Sequence, residues 1–61
     1  MLNTVREFVR VVDALSEIDD AYYVFEDMCS SELRSQIYTL ANPNSPEPFR
    51  SAMYNLGYTD Y

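Results

Sequence analysis

Apolar side chains return every three or four residues through the first two-thirds of the chain, which is the period of one face of an α-helix. Val5, Phe8, Val9, Val12 and Leu15 begin the stripe; Ile18, Ala21, Tyr22, Phe25, Met28 and Cys29 carry it on; Leu33, Ile37, Leu40 and Ala41 end it. Its start is marked by Thr4-Val5-Arg6-Glu7, the pattern of a capping box, in which a hydroxyl and a carboxylate each take up a free amide of the first turn. The run Phe8 to Val12 is rich in β-branched residues and competes as a strand, but cap and stripe agree on a helix.

No Gly or Pro interrupts residues 1 to 41. One helix over 4–41 would be about 57 Å long at 1.5 Å per residue, more than a small domain covers with its own core, so breaks are expected. Ser16 with Asp19 three residues on is a weak restart signal, and Ser30-Ser31 before Glu32 is a better one. Asn42-Pro43 stops the helical pattern. Ser45 then stands as an N-cap, with Pro46 at the first helical position and Glu47 in the first turn. Phe49, Ala52, Met53 and Leu56 share a side of this last helix, and Gly57 ends it. Tyr58 is placed to fold back onto it, leaving Thr59, Asp60 and Tyr61 as a tail. The expected architecture is all-α: one domain over 1–61, a small bundle of three to four short helices at about 4–15, 17–29, 32–41 and 46–56. The lower count holds if the first two form one bent helix, since the step from Leu15 to Ile18 keeps the apolar face in register.

Charge changes this picture from a plain bundle to a polarised one. Four Arg, no Lys and no His stand against ten Asp and Glu, giving a net charge of −6. Seven of the ten carboxylates lie in residues 13–32, where there is no Arg or Lys. A nucleic-acid binder carries a basic footprint, so direct DNA or RNA binding is disfavoured. Nearly half the residues are apolar, which sets the chain apart from a disordered acidic tail. Arg6, Glu7 and Arg10 interrupt the N-terminal apolar run, so neither a signal-peptide core nor a membrane span is expected, and the chain reads as cytoplasmic. Cys29 is alone and is expected as a buried thiol in a reducing compartment.

Catalysis is disfavoured by what is missing. Without His, neither Cys-His nor Ser-His chemistry assembles within the chain, and one Cys makes zinc a poor fit. The paired carboxylates Asp19-Asp20 and Glu26-Asp27 would need a cleft that so small a domain can hardly wall. The acids follow no calcium-loop pattern. No enzyme activity, cofactor or metal is expected.

The acidic stretch, set on a helix, becomes two-sided. At about 100° per residue, Asp13, Glu17, Asp20 and Asp27 share an arc of roughly 80°, and Asp19 and Glu26 flank the apolar face on its far edge. Tyr23 and Val24 then project among the acids, and an exposed aromatic there suits a contact anchor. Six carboxylates from Asp13 to Asp27 span about 21 Å, roughly one per 3.5 Å, near the ~3.4 Å per charge of a nucleic-acid strand. The candidate partner-binding residues are Asp13, Glu17, Asp19, Asp20, Tyr23, Glu26 and Asp27, facing a basic, nucleic-acid-binding protein. A solvated acidic face serving some other protein contact is the competing reading.

Two other features bear on partners. Arg10 is spaced to pair with Glu7 or Asp13, while Arg34 and Arg50 are available to hold the acidic helix to the later helices. Tyr54, Tyr58 and Tyr61 form a second patch, suited to closing the core or to a homodimer seam, so a helical assembly or adaptor module is the alternative function. By size, charge and lack of catalytic residues the chain resembles the small acidic inhibitors that phages and mobile elements use against host nucleic-acid enzymes. That resemblance covers no specific motif and implies an inhibitor acting by nucleic-acid mimicry.

Overall fold

The capping box forms as its residues require. In the computed structural model, which describes residues 1–59, Thr4 is extended, its hydroxyl accepts the Glu7 N–H at 3.1 Å, and the Glu7 carboxylate accepts the N–H groups of Thr4 and Asn3 at 3.0 and 3.1 Å. Helix α1 follows over Val5–Val12. Its end tightens into i→i+3 turns, with Ala14 N–H on Val11 O and Leu15 N–H on Val12 O, before the chain extends through Glu17. At the start of α1 the Asn3 N–H, with the Thr4 hydroxyl and N–H, holds the Glu7 carboxyl below the usual carboxylate range. The sign is that of a group favouring the fold when ionised: its contribution is complete above the ordinary glutamate range and is lost as pH falls through the lowered folded value. Thr4→Ala is expected to cost about 1 kcal/mol. The variant should also show a weaker acid-side fall in stability, read from urea melts at neutral and acid pH.

Helix α2 runs Ile18–Met28, α3 runs Ser31–Tyr38 and α4 runs Pro48–Asn55. The described residues are all-helical, as the stripe implies, with four separate helices. α1 and α2 pack against each other and so are not one bent rod. An unbroken helix over 5–28 would need about 36 Å, beyond the 29 Å long axis of the molecule. Ser16 is not the cap of α2; Glu17 occupies that position and makes no side-chain cap bond. Ser30 does cap α3, its hydroxyl accepting the Leu33 N–H at 3.1 Å.

The start of α4 departs from expectation for a reason local to its prolines. Pro48 disfavours the helical region for the residue before it, and Glu47 sits at φ −128°, ψ 81°. The helix therefore opens at Pro48, and Ser45 instead closes a turn, accepting the Glu47 N–H at 3.2 Å. At the other end Gly57 adopts φ 108°. Its N–H reaches Tyr54 O and the Tyr58 N–H reaches Met53 O, each at 3.0 Å, which completes a Schellman stop. The Tyr58 backbone turns back onto α4 through this bond, while its side chain reaches α1 instead, the hydroxyl donating to the Asp13 carboxylate across the molecule. Asp60 and Tyr61 lie outside the described residues.

The core draws on every helix: Phe8 and Val12 from α1, Ala21, Val24 and Phe25 from α2, Leu33 and Ile37 from α3, Phe49, Ala52 and Met53 from α4, with Cys29 between α2 and α3. A radius of gyration of 10.4 Å agrees with the roughly 10.5 Å expected of a compact chain this long. Three stripe members, Tyr22, Met28 and Leu40, lie at the surface instead. A backbone bridge ties the N-terminus to the α2–α3 junction: the Leu2 N–H donates to Met28 O at 2.6 Å and the Ser30 N–H to Leu2 O at 2.8 Å. The α3–α4 connection is fastened to α4 by Asn42 N–H on Ser51 Oγ at 2.8 Å and Asn55 Nδ2 on Leu40 O at 2.6 Å.

Candidate acidic interface

Helix α2 sets the geometry of the acidic surface. Its core stripe is Ala21, Val24 and Phe25, so the helix is rotated from the phase that a continuous helix out of α1 would impose. Val24 is therefore 6% exposed, part of the core and not of the outer face. Tyr23 is 63% exposed, and Asp19, Asp20, Glu26 and Asp27 stand four and three residues before it and three and four after it. Residues at those steps are neighbours on a helix surface, so one open tyrosine ring is surrounded by four exposed carboxylates. They occupy about 12 Å of helix, roughly one charge per 3 Å. None of the four carboxylates is three or four residues from another, so the face avoids close like-charge pairs within its own helix.

Asp13 and Glu17 are not on this face. Asp13 caps the C-terminus of α1 and is held by the Tyr58 hydroxyl, while Glu17 precedes α2 in extended backbone. Both are exposed, yet the break between them removes the shared arc and the repulsive i,i+4 spacing expected of one helix. The 21 Å rod of six charges is thus a 12 Å face of four, with two further carboxylates at the inter-helix turn.

Arginines do little to neutralise the face. The Glu7 carboxylate is taken by the cap and Asp13 by Tyr58, and among the described residues Arg10 pairs with neither. Arg34 Nη1 donates to the Glu26 carbonyl oxygen, a long contact at 3.5 Å. That places a cation at the C-terminus of α2, whose own last turn has none. Arg50 pairs with Glu47 at 3.5 Å within the start of α4. Arg34 therefore does tie α2 to α3 as expected, whereas the Arg50–Glu47 pair is local to α4.

Beside the acidic face lies an aromatic groove that spacing along the chain did not reveal. Tyr22 and Tyr38 rest on the Phe25–Phe49 pair: Tyr22 meets Phe49 edge-on at 5.1 Å, Tyr38 meets Phe25 edge-on at 5.0 Å, and the two phenylalanines are 5.0 Å apart. The resulting groove has a volume of about 390 Å³, with Asp19, Glu47 and Arg50 on its lining. A hydrogen bond to the Glu26 carboxylate is the main influence holding the Tyr22 hydroxyl above its ordinary range, with desolvation and the Glu26 charge acting in the same direction. Tyr38 belongs to no apolar stripe, and only the tertiary meeting of α2, α3 and α4 gives it a role.

The second tyrosine patch does not assemble as a unit. Tyr58 is half-buried against the core, Tyr54 is exposed, and Tyr61 lies outside the described residues. Cys29 is buried as expected, and burial pushes its thiol up, partly opposed by Arg34. Among the described residues no group of three or more Cys, Asp and Glu side chains is placed to hold a metal ion, and no helix is long and apolar enough to cross a membrane. No family model matches the chain, and no curated protein or solved structure matches it at a significant level.

Proposed function

We propose that the protein is a non-enzymatic acidic binding protein that blocks the basic groove of a nucleic-acid-binding or nucleic-acid-processing protein, its α2 face standing in for a stretch of phosphates. The observation that carries this reading is the ring of Asp19, Asp20, Glu26 and Asp27 around an open Tyr23. Charge at roughly one per 3 Å over about 12 Å corresponds to a few consecutive phosphates of one strand. The tyrosine supplies apolar area at the centre, where interface energy concentrates. Asp13 and Glu17 extend the negative field without belonging to the face.

Such binding is steered by charge and weakens as salt screens it. The immobilised chain should retain basic nucleic-acid-binding proteins from its native host at low salt, release them at high salt, and release them equally to added DNA or RNA. Retention that nucleic acid does not displace would remove mimicry and leave only a general acidic contact. The alternative, a homo-oligomeric helical module, draws on exposed Tyr54 and Leu40. It requires sedimentation that changes with concentration; a strict monomer excludes it.

A further inference from the structure

The groove beside the acidic face combines a buried aromatic floor, two partly open tyrosine walls and a carboxylate. Its floor is Phe49, only 7% exposed, while its walls Tyr22 and Tyr38 leave two-fifths of their surface open. Contacts with Phe25 and Phe49 hold both tyrosine rings in place, so little ordering remains for binding to complete. Asp19 lies on the groove and also on the Tyr23 face, and among the described residues its carboxylate makes no ion pair. Glu47 and Arg50 on the opposite side already pair with each other. Asp19 therefore stands as an open negative charge beside two fixed aromatic rings, with Glu26 next to the Tyr22 hydroxyl.

We propose that this groove receives an arginine side chain of the basic partner, its guanidinium laid against Tyr22 and Tyr38 and paired with Asp19. The proposal rests on the acidic-inhibitor reading above and names the chemistry by which the partner is held. Charge complementarity selects the occupant. A second copy of this chain would bring another net charge of −6 to an acidic rim, and an uncharged side chain would leave Asp19 without a partner. Arginine is favoured over lysine because a planar, weakly hydrated guanidinium stacks on aromatic faces while its edge meets a carboxylate, whereas an ammonium is a compact, strongly hydrated charge. The acidic face then attracts the partner by charge, and the groove discriminates between its basic residues.

The test is a titration of the full chain with hexa-arginine and with hexa-lysine peptides, followed by NMR. Hexa-arginine should bind about fivefold more tightly. It alone should move the ring signals of Tyr22 and Tyr38. Tyr38→Leu should bring arginine affinity down to the lysine level and leave lysine affinity unchanged. If that variant fails to fold, the wild-type ring signals decide. Equal affinities without ring shifts overturn the groove, and the acidic face survives that result if Asp20→Asn with Asp27→Asn still weakens both peptides. Absence of binding by either peptide at low salt removes both readings. Ring signals that move with protein concentration alone would assign the groove to a second copy and overturn the proposal.

Discussion

Phe25→Ala is expected to abolish cooperative folding. The ring is 2% exposed and meets Tyr22, Phe49 and Tyr38, so it joins α2 to both later helices. Removing a buried phenylalanine costs about 3–5 kcal/mol, from lost transfer energy and the cavity left behind. A chain of this length has a total stability of roughly 3–9 kcal/mol, and a domain so small has no second core to fall back on. Far-UV circular dichroism should show a broad melt or a largely unfolded chain. A sharp melt displaced by only a few degrees would contradict this, since about 1 kcal/mol already moves the midpoint of such a domain by roughly 4–8 °C. Phe25→Leu, which keeps most of the volume, should remain folded with a smaller loss. The same contacts hold the groove walls, so the two substitutions also test whether the tyrosines are fixed by this ring.

What could be read from the chain was what is settled within a few residues. Thr4 with Glu7, Ser30 before α3 and Gly57 after α4 each satisfy their own neighbours' backbone groups, and all three act as expected. The start of α4 was also local, but it turned on Pro48 acting backwards on Glu47 rather than on the Ser45-Pro46 pair. The phase of α2 was not legible in the same way. Carrying the apolar register across residues 13–17 set Val24 outward, and only the extended backbone at Glu17 resets the rotation that buries it. Separation along the chain hid the rest. Asp13 meets Tyr58 across 45 residues, Leu2 pairs with the α2–α3 junction, and the groove needs rings from three helices. Of the seven candidate partner-binding residues, Asp19, Asp20, Tyr23, Glu26 and Asp27 come together on α2; Asp13 and Glu17 do not, because the helix that would have joined them is absent.

The sharpest separation of charge from fold comes from two double variants of α2 that remove the same number of carboxylates. Asp19 and Asp20 lie in the first turn, where negative charge favours the helix dipole, and the Glu17 N-cap gives that turn no side-chain bond. Glu26 and Asp27 lie in the last turn, where negative charge opposes it. Asp19→Asn with Asp20→Asn should therefore lower stability, by about 0.3–1 kcal/mol per charge at low ionic strength, and Glu26→Gln with Asp27→Asn should raise it by a smaller amount, because the Tyr22 hydroxyl loses its charged acceptor. Binding follows a different rule, because each exposed ion pair contributes up to about 1 kcal/mol whichever end of the helix supplies it. Each double variant should weaken binding to a basic partner by roughly tenfold, and all four substitutions together by about a hundredfold or more. Stability moving in opposite directions while affinity falls in both variants is the signature of an electrostatic face. Affinity that instead tracks stability, rising in the Glu26–Asp27 variant, would mean the partner reads the integrity of the helix and not its charge, and the mimicry reading would fail.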